Sequence, residues 1–304
     1  MISIIIPFFN EEKNIVLLFK ELGDVMEKTG RKYEIIFVDD GSTDRSLAVI
    51  QEAIKKVLGV KGTVKVLEQR KRFGKGEALV TGLKHAEGEI CMFMDADLQD
   101  NPEDIPKFLK KIDEGSDLVN GARTVRKDNE IIKFYSKLGN LFLRYFLRSP
   151  FTDINCGFKA IRKSVLDEIT LYGNNFRFLP VAAYLKGFKV NEVAVENRMR
   201  IHGKSKFGKS KAFIGFLDTI TAYFLYSFSE RPLHFFGIIG GALLLSGFLI
   251  SVYLTFERVF FNILLYRRPA LFLGILLIIV GIQIVTTGIL GELIVYIGKK
   301  NSKS

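Results

Sequence analysis

Two uncharged apolar runs near the carboxyl end constrain this chain more than any other feature. Between Leu233 and Phe256 there are 24 residues without Asp, Glu, Lys or Arg, and between Ala270 and Ile297 there are 28 in which only Glu292 is charged. As helices rising about 1.5 Å per residue they reach roughly 36 and 42 Å, enough to cross a hydrocarbon layer of about 30 Å. Core helices of a soluble protein seldom run so far without a polar face, so both segments are expected to be transmembrane helices. Glu292 lies seven residues before Lys299, near one end of its run, where a carboxylate costs less than at the midplane. The apolar stretch Ile2 to Ile6 is short and ends at Pro7, which reads as a strand and not as a signal peptide.

Charge divides the 304 residues at nearly the same place. Residues 1–197 hold 31 basic and 29 acidic groups, and residues 198–304 hold 13 and 4, so +9 of the net +11 falls beside the apolar runs. Arg198 to Lys211 alone has six basic residues and no acidic one. Such a stretch suits anionic lipid headgroups or a phosphate-bearing ligand, and nucleic acid is not an expected partner. Two spans put both termini on one side of the membrane, and the large amino-terminal domain has no export signal, which favours the cytosol. The charges of the loop between the spans decide little. Ser210 to Glu230 presents Phe213, Phe216, Leu217, Ile220, Phe224 and Phe228 on a broad apolar face. It is expected to be an interfacial amphipathic helix, with a core helix of the soluble domain as the other reading. The expected organisation is a cytosolic domain over 1–209, the interfacial helix over 210–230, and a membrane domain over 231–304 with spans at 233–256 and 270–297. Two cysteines, Cys91 and Cys156, are too few for a disulfide scaffold, and three histidines are too scattered for a zinc site.

The first 197 residues alternate differently. β-rich runs recur at Ile2 to Ile6, Tyr33 to Val38, Thr63 to Leu67, Glu89 to Met94 and Asp117 to Asn120, with helical patterns between them, such as Asn10 to Lys28 and Thr43 to Val57. Repeated strand and helix predict an α/β domain with a mostly parallel sheet covered on both faces, whose ligand site lies at the carboxyl ends of the strands. After the second run stands Val38-Asp39-Asp40-Gly41-Ser42-Thr43-Asp44. An ordinary turn into a helix explains Gly41 and a Ser42 or Thr43 cap, but not two adjacent carboxylates, which repel and suit a ligand offering hydroxyl or ring N–H donors. After the fourth run stands Asp95-Ala96-Asp97-Leu98-Gln99-Asp100. In an extended stretch Asp95, Asp97 and Gln99 share one side, and this oxygen set suits Mg²⁺ or Mn²⁺ bridging to phosphate. Phe73 to Gly76 is glycine-rich without the Lys-Ser/Thr ending of a P-loop.

With these motifs the chain resembles glycosyltransferase family 2 with the GT-A fold, and within it the polyprenyl-phosphate hexosyltransferases, which include dolichyl-phosphate mannose synthases and two-span bacterial glucosyl carrier-lipid synthases. The resemblance is carried in order by Pro7 to Glu11, Val38 to Asp44, Phe73 to Leu79, Asp95 to Pro102, Gly121 to Asp128, Asp153 to Phe158, Arg198 to Gly208 and Arg231 to Gly237.

The resemblance implies a Rossmann-like GT-A sheet and transfer of a hexose, glucose or mannose, from a UDP- or GDP-linked nucleotide sugar to a polyprenyl phosphate, metal-dependent and inverting, at the cytosolic face. It implies donor contacts from Pro7, Asn10, Glu11, Asp39, Asp40, Lys75, Asp95, Ala96 and Asp97, and a metal held by Asp95, Asp97 and Gln99. Arg123, Ser136, Arg198, Arg200 and Lys206 would face the acceptor phosphate, with Asp97, Arg123 and Arg200 nearest the chemistry. Lys133, Lys137 and Asn197 depart from the family pattern, and lysine lacks the bidentate fork of arginine. A homo-oligomer through the spans is implied by analogy alone. A lipid monophosphate is largely anionic at pH 7 and already nucleophilic, so no strong base is required. A chain without tryptophan cannot carry the Q-x-x-R-W motif of processive synthases. The alternative is a non-catalytic membrane module that binds nucleotide sugar or scaffolds a carrier-lipid flippase.

Overall fold

The computed structural model of the protein describes residues 1–56, 62–123, 149–169, 171, 173–199, 218, 219, 221, 223–226, 228, 231–262, 264 and 268–301. The expected interfacial helix is thus only partly covered, and Lys133, Ser136, Lys137, Arg200 and Lys206 lie outside the described residues. The chain divides into two compact units, Met1–Ala222 and Tyr223–Ser304.

In the first unit β1 (Ile2–Phe8), β2 (Tyr33–Asp39), β3 (Thr63–Glu68), β4 (Ile90–Phe93), β5 (Leu118–Arg123), β6 (Lys159–Arg162) and β7 (Val190–Val195) form a sheet in the order β3-β2-β1-β4-β6-β5-β7. β6 runs antiparallel to β4 and β5, and the other pairings are parallel. β1 and β2 are buried along their whole length, as expected of parallel strands covered on both faces, which is why they read as near-continuous apolar runs. The order reverses at β1, with β2 on one side and β4 on the other, so the crevice at their carboxyl ends is the switch point where such sheets take ligands.

The helices are α1 (Ile15–Thr29), α2 (Ser46–Lys56), α3 (Lys75–Lys84), α4 (Ile105–Asp113), α5 (Lys163–Glu168) and α6 (Leu179–Leu185). α1 buries Ile15, Leu18, Phe19, Leu22, Val25 and Met26, the stripe its 3.6-residue period predicts. It starts five residues later than its pattern suggests because Asn10 sits in the left-handed region (φ 56°) and Glu11 closes a turn, its carbonyl accepting the N–H groups of Asn14 and Ile15 at 3.0 Å. α2 also starts late. Its first turn is capped by Asp44, whose Oδ1 accepts the Ser46 N–H at 2.9 Å, and not by Ser42 or Thr43. At the amino ends of the strands a second polar group is buried. Glu34 accepts from Ser3 Oγ (2.5 Å) and the Glu87 N–H (2.7 Å) and pairs with Lys65 (2.8 Å). Burial works to raise its pKa, but these partners prevail and hold it below the usual carboxylate range.

The second unit contains α7 (Pro232–Phe261) and α8 (Pro269–Asn301), both long and apolar enough to cross a membrane. Each outruns its uncharged segment because charged ends continue the helix, Glu257 and Arg258 in α7 and Lys299 and Lys300 in α8. Gly240 and Gly247 of α7 and Gly274, Gly281 and Gly288 of α8 are buried while large apolar residues such as Ile238, Phe272 and Ile294 are exposed. A Cβ at Gly240 would lie 2.7 Å from the Gly281 carbonyl, and one at Gly247 would lie 2.6 Å from that of Gly274. The seven-residue glycine spacing keeps one seam of each helix on the other, as in a left-handed coil. At the start of α7, Phe235 packs against Phe224 and Phe228 with ring centroids 5.3 and 5.1 Å apart.

Candidate active site

The turn after β1 and the turn after β2 are built as one piece. The Asn10 side chain accepts the Thr43 N–H (2.8 Å) and donates to Thr43 Oγ1 (3.1 Å), while the Asn10 N–H donates to Ser42 Oγ (3.0 Å) and the Glu11 N–H to Ser46 Oγ (2.7 Å). Pro7, at the end of β1, is paired in register with Val38. Pro7, Asn10, Glu11, Asp39 and Asp40 therefore gather at two adjoining strand ends.

The adjacent carboxylates avoid one another by taking different protein donors. Asp39 Oδ1 accepts the Ser42 N–H (2.9 Å) and Oγ (2.5 Å). Asp40 reaches across to the loop before α3, where Oδ1 accepts the Phe73 N–H (2.7 Å) and the Gly74 N–H (2.9 Å). Each carboxylate of the acidic pair thus has protein donors of its own. Gly41 is required here twice, by its φ of 70° and because a Cβ would stand 2.7 Å from the backbone of Lys71 and Arg72.

The segment after β4 does not continue extended, as the alternation argument supposes. It turns at Ala96 to Leu98, with Leu98 buried at φ 61° and the Gln99 N–H donating to Asp97 Oδ1 at 3.2 Å. Ala96 and Asp97 are buried, and the Asp95 side chain is 37% exposed. Asp95 accepts a hydrogen bond from the Lys75 ammonium at the start of α3. Burial would raise the Asp95 pKa, but the charge and hydrogen bond of Lys75, with Lys159 and Arg123 behind it, hold it below the usual carboxylate range. Asp100, whose Oδ2 accepts the Asp95 N–H at 3.2 Å, is pushed up to about 7, first by burial and then by the Asp95 charge. Among the described residues no three His, Cys, Asp or Glu side chains form a ready cage for a metal. An ionised, half-exposed Asp95 with Asp97 beside it fits a hard cation that takes its other ligands from phosphate and water, and the lysine ammonium on Asp95 shows that a cation is accommodated there.

Three features of the site escaped the sequence argument or modify it. Lys159, in β6, is 1% exposed and donates to the carbonyls of Cys156 and Ile154, tying together the loop that precedes it. Burial pulls its pKa down to about 8. Arg123 is engaged by buried Asp153 through Nε (2.7 Å) and Nη2 (3.2 Å). Arg198 donates to Glu21 (2.6 Å) and to Asn101 Oδ1 (2.6 Å), and its N–H donates to the Gln99 carbonyl (2.9 Å), so it clasps the acidic turn to α1. Asn197 forms an isolated bridge with Asp100. Cys156 is a core residue, its thiol pushed up to about 12 by burial.

A mostly parallel sheet with acidic turns at its switch point is the α/β arrangement that takes ligands at the carboxyl ends of its strands. The family model for Glycosyl transferase family 2 matches residues 3–170, and the chain belongs to that family. It is 33% identical over 298 residues to a dodecaprenyl-phosphate galacturonate synthase of Rhizobium johnstonii, covering 96% of this chain and 87% of that one. It is 32% identical over 301 residues to an undecaprenyl-phosphate 4-deoxy-4-formamido-L-arabinose transferase of Pectobacterium atrosepticum, covering 98% and 88%. Its fold is similar to that of glucosyl-3-phosphoglycerate synthase from Mycobacterium tuberculosis, solved with Mn²⁺, UDP-glucose and phosphoglyceric acid. That likeness has a TM-score of 0.57 and 17% identity, and covers 73% of this chain and 79% of that one. The protein is therefore a glycosyltransferase with the GT-A fold.

Proposed function

We propose that this enzyme moves a sugar from a nucleotide sugar to a polyprenyl phosphate at the cytosolic face of a membrane, with inversion and with Mg²⁺ or Mn²⁺ at Asp95 and Asp97. The observation that carries the reading is coverage. Relatives named for sugar transfer to dodecaprenyl and undecaprenyl phosphate align with nearly the whole chain, α7 and α8 included. In this reading the joined turns of Asn10, Asp39 and Asp40 hold the nucleoside, and Asp95, Asp97 and Gln99 the metal and diphosphate. Bound there, a divalent ion would neutralise charge developing on the leaving diphosphate. Arg123, held by Asp153, and Arg198, held by Glu21, keep cations at fixed places. Arg200, Ser136 and Lys206 complete the set toward the acceptor phosphate. The domain limits 1–209, 210–230 and 231–304, with both termini cytosolic, belong to the same proposal.

The test is transfer of radiolabelled sugar in membranes expressing the chain, with added polyprenyl phosphate and either ion. The donor panel pairs UDP and GDP with glucose and mannose, and extends to galacturonate and a formamido-arabinose, because the relatives' names include those sugars. A metal-dependent, chloroform-soluble, mild-acid-labile product is expected from one donor. A product that stays in water, or none from any donor with nucleotide binding intact, overturns the lipid-phosphate acceptor.

A further inference from the structure

Lys75 carries an ammonium to the one place where the metal reading needs an empty carboxylate. It is the first residue of α3, and the backbone just before it is fixed by Asp40, which accepts the Phe73 and Gly74 N–H groups. From this fixed base the side chain reaches Asp95 Oδ1 and passes 5.1 Å above the Phe176 ring. Space for the pair is kept by Gly157, where a Cβ would stand 2.8 Å from Asp95 Oδ2 and 3.0 Å from the ammonium. Neither partner is sealed in, since their side chains are 31% and 37% exposed. A pair that water and ions can reach can open without unfolding the site. The other lysine nearby, Lys159, is buried and bound to two carbonyls, whereas Lys75 has a flexible four-carbon stem at the surface.

We propose that Lys75 is a built-in counter-ion: it occupies the divalent-ion position on Asp95 in the empty enzyme and passes to the donor's diphosphate when the ion arrives. The inference rests on the proposed metal site. An ammonium and a divalent cation repel and compete for one carboxylate oxygen, so the ion binds only as Lys75 leaves, and a diphosphate gives Lys75 somewhere to go. Ion and nucleotide then assist one another's binding, and by linkage the assistance is mutual. The arrangement discourages metal from settling in a site that holds no donor.

The test is Mn²⁺ binding to the full chain in detergent, followed by electron paramagnetic resonance, first alone and then with UDP and, separately, GDP. With Lys75→Gln, Mn²⁺ alone should bind about tenfold more tightly than in wild type, and the gain on adding nucleotide should shrink by a similar factor. Lys75→Arg, which keeps the charge, should stay within about twofold of wild type. Should Lys75→Gln fail to fold, Lys75→Met carries the same expectation. Unchanged or weaker Mn²⁺ binding in the neutral variants, with wild type binding normally, overturns the counter-ion role and leaves the metal site standing. No Mn²⁺ binding by wild type, with or without nucleotide, overturns both.

Discussion

The interior of the amino-terminal unit is made of Phe37, Phe93, Phe108, Phe158 and a run of isoleucines, whereas the hairpin of α7 and α8 buries five glycines with Pro232 and Leu254 and turns most of its large apolar residues outward. The solvent explains the inversion. Water drives bulky apolar groups inward in the first unit. Lipid offers no such drive, so the hairpin gains from close van der Waals approach, which small residues permit. Charge follows the same division. The sheet unit buries Asp40, Asp153 and Lys159, each with protein partners. The hairpin keeps its charges at the ends, Arg268 on Glu257 at one and Glu292 on the Leu233 N–H at the other.

The sharpest way to separate the units is to remove chemistry from one while leaving the other intact. Asp97→Ala should lower lipid-product formation at least about 10³-fold, roughly 4 kcal/mol of barrier, while the protein stays in the carbonate-resistant membrane fraction. Transfer within about tenfold of wild type would remove Asp97 from the metal site.

Titration of Asp100 distinguishes the units next. Its folded pKa of about 7 lies above the ordinary value, so between about pH 4 and 7 the folded protein holds a proton that the unfolded chain has lost. Its contribution to stability is complete below that window and is lost as pH rises through 7. In metal-free wild type, hydrogen exchange at β4 amides should therefore show protection falling from pH 5 to 8 once corrected for intrinsic exchange. Asp100→Asn, which keeps an acceptor for the Asp95 N–H, should flatten that slope and leave α7 and α8 amides unchanged. A slope that persists in the variant assigns the titration elsewhere.

What was legible in the sequence divides along the same line as the solvents. Strands β1 to β5 announced themselves as β-rich runs, and the acidic turns could be located because in such a sheet chemistry gathers where strands end. β6 did not, since Lys159-Ala160-Ile161-Arg162 has two basic residues in four and no apolar run. Its lysine looks solvent-bound until the fold supplies the carbonyls of Ile154 and Cys156. Asp40 was legible as a site carboxylate, but its grip on Phe73 and Gly74 spans more than thirty residues and leaves no local pattern. Arg198 was placed with the phosphate ligands on resemblance, and its partner Glu21 lies 177 residues away. In the hairpin the spans were plain from hydropathy. The seam was present too, as glycine at 240, 247, 274, 281 and 288, a seven-residue spacing that hydropathy does not register.

Breaking that seam is the counterpart test in the hairpin. Gly247→Leu places a side chain where even a Cβ would meet the Gly274 carbonyl at 2.6 Å, and α8 must move away. The overpacking should cost about 3 kcal/mol, read as lost hydrogen-exchange protection along the seam in detergent. Mn²⁺ and nucleotide binding by the first unit should survive. Protection equal to wild type would mean that close glycine packing does not hold the hairpin together.

The smallest effect concerns Glu292, where the hairpin uses a device ordinary in water. Its Oε2 accepts the Leu233 N–H at 3.3 Å, satisfying one of the backbone donors that a helix leaves open in its first turn, here from the neighbouring helix and not from the residue before. An acceptor in this position also meets the positive end of the α7 dipole. Glu292→Leu should cost about 1 kcal/mol in the exchange protection of the first α7 turn, and Glu292→Gln, which keeps a carbonyl oxygen in reach, should cost less. Equal losses from both variants would show that charge at the helix end matters and the hydrogen bond does not. No loss from either would mean that water reaches the Leu233 N–H, placing the start of α7 in the headgroup layer, where a lipid-spanning helix no longer depends on protein partners for its ends.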